Sequence, residues 1–90
     1  MQTLIFYSKP GCHLCEGLAE KLAQVQAVEF ELEMRDITTN PRWFELYQYE
    51  IPVLCLKDGD KEIVLPRFSP RVAIASIEKK LTQYLTPKIN

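Results

Sequence analysis

The distribution of apolar and polar residues along the chain predicts strands that alternate with helices. Residues Thr3 to Ser8 (TLIFYS) form a short apolar run rich in β-favouring side chains, which indicates a buried strand. Lys9-Pro10-Gly11 interrupts this run, and the period changes from His13 onward. Apolar residues then recur at helical spacing, at Leu14, Leu18, Leu22 and Val25. This pattern predicts an amphipathic helix that rests one face on a sheet.

Three further stretches have the pattern of β-strands. Apolar and polar residues alternate from Val28 to Asp36, which is the period of a strand. Ile51 to Leu56 (IPVLCL) is another apolar run, and Glu62 to Leu65 (EIVL) follows shortly after it. Because Asp58-Gly59 lies between these two runs and is a strong hairpin signal, we expect them to pair as antiparallel neighbours.

Two more helices are predicted from their start signals. Asn40 is a typical N-cap residue and is followed by Pro41, which suits the first helical turn. The helix that follows, PRWFELYQY, is short, and we interpret its aromatic residues as packing residues. Ser69-Pro70 marks the start of the last helix. Its predicted buried stripe consists of Ile74, Ile77, Leu81, Tyr84 and Leu85.

The elements follow one another in the order β-α-β-α-β-β-α. A helix between the first two strands implies that these strands are parallel and joined by a right-handed connection. The last two strands form the hairpin. The sequence therefore predicts an α/β fold in which a four-stranded mixed sheet is flanked by three helices, within a single domain that spans residues 1–90.

Composition and charge exclude several function classes. The chain has a formal net charge of −1 and no basic stripe, so nucleic acid is not an expected partner. Its longest apolar runs are only a few residues long, too short to cross a membrane. Since a strand-like run begins already at Thr3, we expect no leader segment and a cytoplasmic location. Structural disulfides are rare in that reducing compartment.

Cys12 and Cys15 lie where the first predicted strand gives way to a helix. The first amides of a helix lack partners within it and carry partial positive charge, which favours a thiolate. We therefore expect the pKa of Cys12 to lie below the usual value of about 8.5. Cys15 comes one turn later on the same face and deeper against the sheet. This arrangement suits an exposed attacking thiol and a sheltered resolving thiol.

Two structural roles for the cysteine pair are weaker explanations. A zinc site needs about four ligands, whereas the chain adds only His13, which stands between the two cysteines, and Cys55, which lies in a predicted buried strand. We therefore expect no metal site and interpret Cys55 as a core residue. A permanent disulfide that closes so small a loop would add little stability. A C-x-x-C motif before a helix in a βαβ pattern is itself a redox signature.

The chain resembles the thioredoxin superfamily, and most closely its small glutaredoxin-like members, over nearly all of its length. The segments that carry the resemblance are YSKPGCHLC, which ends at Cys15, and EIPVL, which contains Pro52. The resemblance implies that Cys12 is the nucleophile and that Cys15 resolves the mixed disulfide. It also implies that the bond between Ile51 and Pro52 is cis and that Pro52 faces the active site.

The resemblance further implies three contacts with a substrate. The backbone of Ile51 pairs with the substrate's cysteine, Lys9 binds the glycine carboxylate of glutathione, and Tyr7 lies beside the site. The sequence departs from glutaredoxins in two places. His13-Leu14 separates the cysteines, where glutaredoxins usually begin with proline, and the glycine pair that holds the glutamyl end of glutathione is absent. The corresponding segment reads LPRFSPR, in which Arg67 is a candidate to replace the missing contacts.

We interpret the chain as a thiol–disulfide oxidoreductase that requires no cofactor beyond its cysteines, with glutathione as a weak co-substrate. The expected partners are a protein disulfide and a reductant that the sequence does not identify, and the protein is expected to be a monomer that binds neither nucleic acid nor a membrane. His13 either stabilises the Cys12 thiolate or is a solvated side chain. Two alternatives stay open: a metal or iron–sulfur carrier in which Cys12 of two chains bridges a cluster, and a non-enzymatic binding module of the same fold.

Overall fold

A computed structural model describes residues 2–85 and arranges them around one mixed β-sheet. Its strands are β1 (Thr3–Ser8), β2 (Glu31–Asp36), β3 (Val53–Asp58) and β4 (Lys61–Val64). They lie side by side in the order β2-β1-β3-β4, with β1 parallel to β2 and β3 antiparallel to both β1 and β4. The predicted parallel pair and hairpin are confirmed. Met1 and residues 86–90 of the predicted domain lie outside the described part of the chain.

Three α-helices accompany the sheet within the described residues: α1 (His13–Leu22), α2 (Pro41–Tyr47) and α3 (Ile74–Leu81). The order β-α-β-α-β-β-α is the predicted one. One turn of 3-10 helix, Ile37–Thr39, lies between β2 and α2. The sequence pattern did not predict this turn. Asp36 caps this turn, because its carboxylate accepts the amide of Thr38 at 2.9 Å.

The last helix begins later than predicted. Its first residue is Ile74, whereas Ser69-Pro70 was the predicted start. The Lys21 ammonium of α1 donates to the carbonyl oxygens of Pro70 and Val72, at 3.1 and 2.7 Å. Residues 66–73 therefore form a loop that is tied to α1 through Lys21, and α3 starts only after it.

The second strand also begins later than predicted, at Glu31 and not at Val28. The amides of Gln26 and Ala27 donate to the carboxylate of Glu78 in α3, at 2.8 and 2.9 Å. These bonds lower the pKa of Glu78 because they favour its ionised form. The connection that follows α1 is therefore held by α3, and regular pairing with β1 starts only after it.

Strand β1 has both of its faces buried. Leu4 and Phe6 point into one cluster of buried side chains, and Ile5 and Tyr7 point into another on the opposite face. Residues of α1 and α3 complete the first cluster, chiefly Cys15, Leu22, Ile77 and Leu81. The second cluster also contains Ile37, Val53 and Cys55, and the predicted packing residues Trp43 and Tyr47 of α2 lie against it. Helices therefore cover both faces of the sheet, as predicted.

The predicted apolar stripe of α1 is wrong at Leu14. This side chain is 50% exposed, while Cys15 and Leu22 are buried and Leu18 is half-buried. The centre of the buried face is one residue further along, which is about 100° around the helix. Leu14 therefore points outward beside the cysteine pair. Tyr84, which was predicted on the stripe of the last helix, is exposed as well.

The N-cap of α2 allows a test of local helix stability. The Asn40 side-chain oxygen accepts the amides of Arg42 and Trp43, at 2.9 and 3.3 Å. In Asn40→Ala both amides lose that acceptor, and we expect the free energy of unfolding to fall by about 1 kcal/mol. Asn40→Asp is the matched control, because its carboxylate can still accept these amides. Urea denaturation followed by the fluorescence of Trp43, the only tryptophan, measures both variants. An equal loss in the two would contradict the cap.

Candidate active site

The connection between β1 and α1 is a tight turn that ends at Cys12. The Cys12 amide donates to the Lys9 carbonyl at 3.3 Å, and Gly11 has a positive φ of 79°. Proline at the second position and a positive φ at the third are features of a type II turn. Pro10 and Gly11 supply them, so the local sequence KPGC delivers Cys12 to the start of α1.

Cys12 is the N-cap residue of α1 and forms a disulfide with Cys15. Its Sγ accepts the backbone amide of Cys15 at 3.2 Å, and its carbonyl accepts the amide of Glu16 at 3.0 Å. Sulfur therefore takes the place of the side-chain oxygen that usually caps a helix. Cys12 is half-buried, whereas Cys15 is only 3% exposed. Of the two, Cys12 is the more accessible residue, as the sequence predicted.

The bond between Ile51 and Pro52 is cis, as predicted. Pro52 immediately precedes β3 and lines a surface groove together with His13 and Leu14 from the first turn of α1. The structure therefore brings Pro52 to the cysteine-bearing end of α1. The side chain of Ile51 is half-buried and packs against both core clusters.

The backbone of Ile51 is not free, contrary to the expectation for a substrate-pairing residue. Its amide donates at 3.1 Å to the carbonyl of Tyr47, which ends α2 and has no helical partner of its own. Its carbonyl accepts from Nη2 of Arg67 at 3.4 Å, and Nη1 of Arg67 donates to the carbonyl of Glu50. A substrate strand can therefore reach only the Ile51 carbonyl, where it competes with Arg67.

His13 and Lys9 both lie on the surface near the cysteines. The His13 side chain is 94% exposed, and its Nδ1 lies 3.5 Å from Oε2 of Glu16. This placement favours the solvated interpretation of His13 over direct stabilisation of Cys12. Lys9 is exposed, and it is the carbonyl of this residue that contacts Cys12.

Tyr7 belongs to the face of the sheet opposite to the cysteine pair. Cys15 packs on the side of Leu4 and Phe6, and the alternation of side chains along β1 turns Tyr7 away from it. Only 2% of Tyr7 is exposed. The resemblance placed Tyr7 beside the site, and this placement is not what the structure shows.

The Tyr7 phenol is the centre of a polar network on that opposite face. It donates to Glu62 and accepts from Nη1 of Arg35 at 2.9 Å. Burial, and then the hydrogen bond to the Glu62 carboxylate, raise the pKa of Tyr7. The Arg35 guanidinium also lies over the rings of Tyr7 and Trp43, at 5.5 and 5.0 Å from their centroids. We assign Tyr7 a structural role.

Cys55 is fully buried in the second cluster, as predicted for a core residue. Burial, and then the negative charge of Glu62, raise the pKa of its thiol to about 11. The thiol is therefore protonated at neutral pH. Thiolates and not thiols act as nucleophiles, so Cys55 is inert in the folded protein.

Two residues of the Pro52 groove, Lys21 and Phe68, carry no sequence signal for a site. Lys21 has the pattern of a solvated helix residue, and Phe68 lies in a segment with no period. Arg67 was singled out as an anion contact, but its bonds to Glu50 and Ile51 appear only in the fold. The partners of Lys21 and Arg67 lie far away along the chain, where no local pattern can reveal them.

Two kinds of feature were not found among the described residues, a cluster of metal ligands and a membrane-spanning helix. Among residues 2–85, no group of three or more His, Cys, Asp or Glu side chains is placed to hold a metal ion. No helix in the same range is both long and apolar enough to span a membrane.

Comparisons with known proteins agree with this architecture. Residues 3–82 match the family described as "Glutaredoxin-like domain (DUF836)". Among solved structures, a structural genomics target protein from X. campestris is 28% identical, with a TM-score of 0.58, over 89% of this chain and 96% of that one. Thioredoxin 1 from Thermosipho africanus is 15% identical, with a TM-score of 0.59, over 91% and 92% of the two chains.

A third solved structure, of a malarial protein, is 13% identical, with a TM-score of 0.64, over 96% of this chain and 99% of that one. At this level of identity, the second and third structures bear on the fold alone, which is thioredoxin-like. No protein of curated function matches the sequence.

The difference in exposure predicts the order in which the reduced cysteines react. We expect iodoacetamide to modify Cys12 faster than Cys15 at pH 6, because Cys12 is more accessible and its sulfur receives a helix amide that favours the thiolate. Mass spectrometry on Cys12→Ser and Cys15→Ser measures each thiol alone. Cys55 is the internal control and should stay unmodified until the protein unfolds. Faster modification of Cys15 would reverse the two assignments.

Proposed function

The chain belongs to the glutaredoxin-like domain family, and we propose that it is a thiol–disulfide oxidoreductase that uses Cys12 and Cys15. The position of Cys12 carries this proposal. Its sulfur lies at the N-cap of α1, accepts a helix amide, and is bonded to the sulfur of Cys15. A sulfur held in this place is stabilised as a thiolate when reduced and lies next to its partner when oxidised.

The reduced protein reacts in two steps. The Cys12 thiolate attacks one sulfur of a substrate disulfide and forms a mixed disulfide, while the other substrate sulfur leaves as a thiolate and takes up a proton. Deprotonated Cys15 then attacks the Cys12 sulfur, which releases the second substrate thiolate for protonation. Two electrons have passed to the substrate, and the protein is left with the Cys12–Cys15 disulfide of the structure. An external thiol reductant supplies two electrons to open it again.

The N-cap position favours turnover more than it favours attack. Lowering a thiol pKa from about 8.5 to about 6 raises its thiolate fraction at pH 7 roughly thirtyfold, but the weaker basicity costs roughly tenfold in nucleophilicity. The net gain in attack is therefore only about twofold to threefold. A low-pKa thiol is also the better leaving group, so Cys12 departs faster when Cys15 resolves the mixed disulfide. In this proposal the cysteine pair needs no further cofactor. The protein acts as a monomer in the reducing cytoplasm.

Glutathione is a poor partner in this proposal. In the loop 66–73, Pro66 and Pro70 have no amide to donate to a carboxylate. Each lost charge-assisted hydrogen bond costs about 1.5–3 kcal/mol, which is roughly tenfold or more in affinity. A protein disulfide, which does not depend on two free carboxylates, is the better substrate.

Trapping of the mixed disulfide tests the proposed roles. Reduced Cys15→Ser can attack a protein disulfide through Cys12 but cannot release the product, so we expect a covalent complex on a non-reducing gel. Cys12→Ser is the matched control, since it retains one cysteine of the pair and should form no complex. Intact mass spectrometry gives the stoichiometry of one substrate per chain. Equal trapping by both variants, or trapping by Cys12→Ser alone, contradicts the mechanism.

The choice of reductant is a separate prediction. With the same protein disulfide as substrate, we expect turnover driven by glutathione and glutathione reductase to be at least about tenfold slower than turnover driven by a dithiol, because Pro66 and Pro70 offer no amides to the second glutathione carboxylate. NADPH consumption measures the first rate and product thiol measures both. Equal rates with the two reductants would contradict weak glutathione binding and indicate an ordinary glutaredoxin.

A further inference from the structure

Two surface grooves meet at Pro52. The α1 groove lies between α1 and the loop 66–73, and its walls are formed by His13, Leu14, Lys21, Phe68, Pro70 and Val72. The α2 groove lies between the end of α2 and β4, and includes Leu46, Glu50 and Val64. Both grooves share Leu18, Pro52, Arg67 and Phe68. A chain lying in either groove passes the cysteine-bearing end of α1 or the start of β3.

The α1 groove has apolar walls beside the reactive cysteines. Leu14 leaves half of its surface exposed in the first turn of the helix, and Phe68 and Val72 across from it are half-buried. A single exposed apolar residue is ordinary, but a contiguous patch marks a contact surface. The patch includes Leu14, which follows Cys12 by two residues at the start of α1, so a segment bound on it lies at the cysteine-bearing end of the helix.

The charge of the α1 groove is one-sided. Lys21 and Arg67 contribute two cations, and none of the described residues that line this groove is acidic. In the α2 groove the same Arg67 is accompanied by the carboxylate of Glu50. Charge complementarity therefore distinguishes the two grooves, although their apolar content is similar. Only the α1 groove favours a negatively charged occupant.

Arg67 is held by acceptors that a carboxylate can replace. Its guanidinium donates to the neutral carbonyls of Glu50 and Ile51 and is exposed at the junction of the grooves. Guanidinium has five N–H donors, and its bonds to carboxylates are shorter and stronger than those to neutral oxygens. The Lys21 ammonium uses two bonds, to Pro70 and Val72, out of three. Both cations therefore retain donors for an anionic ligand.

We infer that the α1 groove selects protein substrates in which an acidic residue and an apolar residue flank the reactive cysteine, with Arg67 as the specificity-determining residue. This inference rests on the proposed thiol–disulfide function and names the substrate class of the same site. The apolar side chain packs between Leu14 and Phe68, and the carboxylate pairs with Arg67. The disulfide exchange itself is unchanged and runs through Cys12 and Cys15.

The carboxylate also opens the backbone contact that Arg67 blocks. When the guanidinium turns from the Ile51 carbonyl to a substrate carboxylate, that carbonyl becomes free to accept a backbone amide of the substrate. A neutral peptide offers only carbonyl oxygens, and these bind a guanidinium no better than the Ile51 carbonyl that they would replace. Acidic peptides therefore gain an ion pair and a backbone hydrogen bond, and neutral peptides gain neither.

Three synthetic peptides test the inference. Each contains the same internal disulfide and the same Leu on one side of a cysteine, and they differ only in carrying Glu, Gln or Lys on the other side. We expect the reduced protein to reduce the Glu peptide about threefold to tenfold faster than the Gln peptide, and the Lys peptide slowest. The preference should shrink as ionic strength rises, because exposed charges are screened. Acid quenching and chromatographic separation give the rates.

Two arginine variants identify the residue responsible. In Arg67→Met, the reduction rate of the Glu peptide divided by that of the Gln peptide should fall to about one. Arg67→Lys should retain part of the preference for the Glu peptide. Arg71→Met is the matched control, because it removes the same charge from the same loop at a residue outside both grooves, and it should keep the ratio. A ratio of two rates in one sample does not depend on the folded fraction. Equal rates in the wild-type protein, or loss of the ratio in Arg71→Met as well, overturn the inference.

A binding measurement separates this inference from the proposed function. The same peptides with Ser in place of both cysteines are titrated into the oxidised protein, and the fluorescence of a labelled peptide reports affinity. Tighter binding of the Glu peptide that depends on Arg67 supports the groove assignment even if no peptide is reduced, in which case only the redox proposal fails. Reduction of all three peptides with equal affinities supports the redox proposal and overturns the groove assignment.

Discussion

Strand β1 is enclosed on every side, with β2 and β3 as its neighbours in the sheet and buried clusters against both of its faces. Such a strand has little freedom to shift, because a slip by one residue would exchange its two sets of side chains between the clusters. Its end at Ser8 is therefore a fixed point from which the KPGC turn carries Cys12 to α1. The antiparallel register pairs Tyr7 with Val53, so the end of β1 and the start of β3 lie at the same edge. The meeting of Pro52 with the cysteine-bearing helix follows from this register.

The loop 66–73, which borders the site together with α1 and the start of β3, contains neither helix nor strand. Hydrogen bonds from two cationic side chains hold it in place. Lys21 reaches from α1 to the carbonyls of Pro70 and Val72, and Arg67 reaches from the loop to the carbonyls of Glu50 and Ile51. Both cations satisfy neutral acceptors and keep their charge. The bonds that shape the groove therefore also leave two positive charges near the end of α1 that carries the cysteines.

On the opposite face of the sheet, the positive charge of Arg35 is paired with carboxylates. Arg35 pairs with Glu33 at 2.5 Å and with Glu62 at 3.3 Å, and its guanidinium stacks on aromatic rings. Its charge is compensated where it lies, and the network that includes the Tyr7 phenol closes over the second cluster. One face of the sheet is thus a satisfied structural core, and the other carries the groove, the cations and the cysteine pair.

The sequence by itself determined the features that depend on neighbouring residues: the element order, the Asn40 cap, the hairpin, and the placement of Cys12 at a helix start by a proline–glycine turn. These features follow from local hydrogen bonds and from side-chain periodicity, which a few consecutive residues encode. The helical spacing alone did not determine which side chains are buried. Leu14 matches this spacing but lies about 100° from the buried centre of its helix.

Only the tertiary structure decided how Ile51 is engaged and what lines the groove. Arg67 is separated from its acceptors at Glu50 and Ile51 by 17 and 16 residues, and Lys21 from those at Pro70 and Val72 by 49 and 51. Contacts at such separations form because packing of the helices on the sheet brings the segments together. A flexible cationic side chain then bonds whichever carbonyl the fold presents, and no pattern in the sequence specifies which one that is.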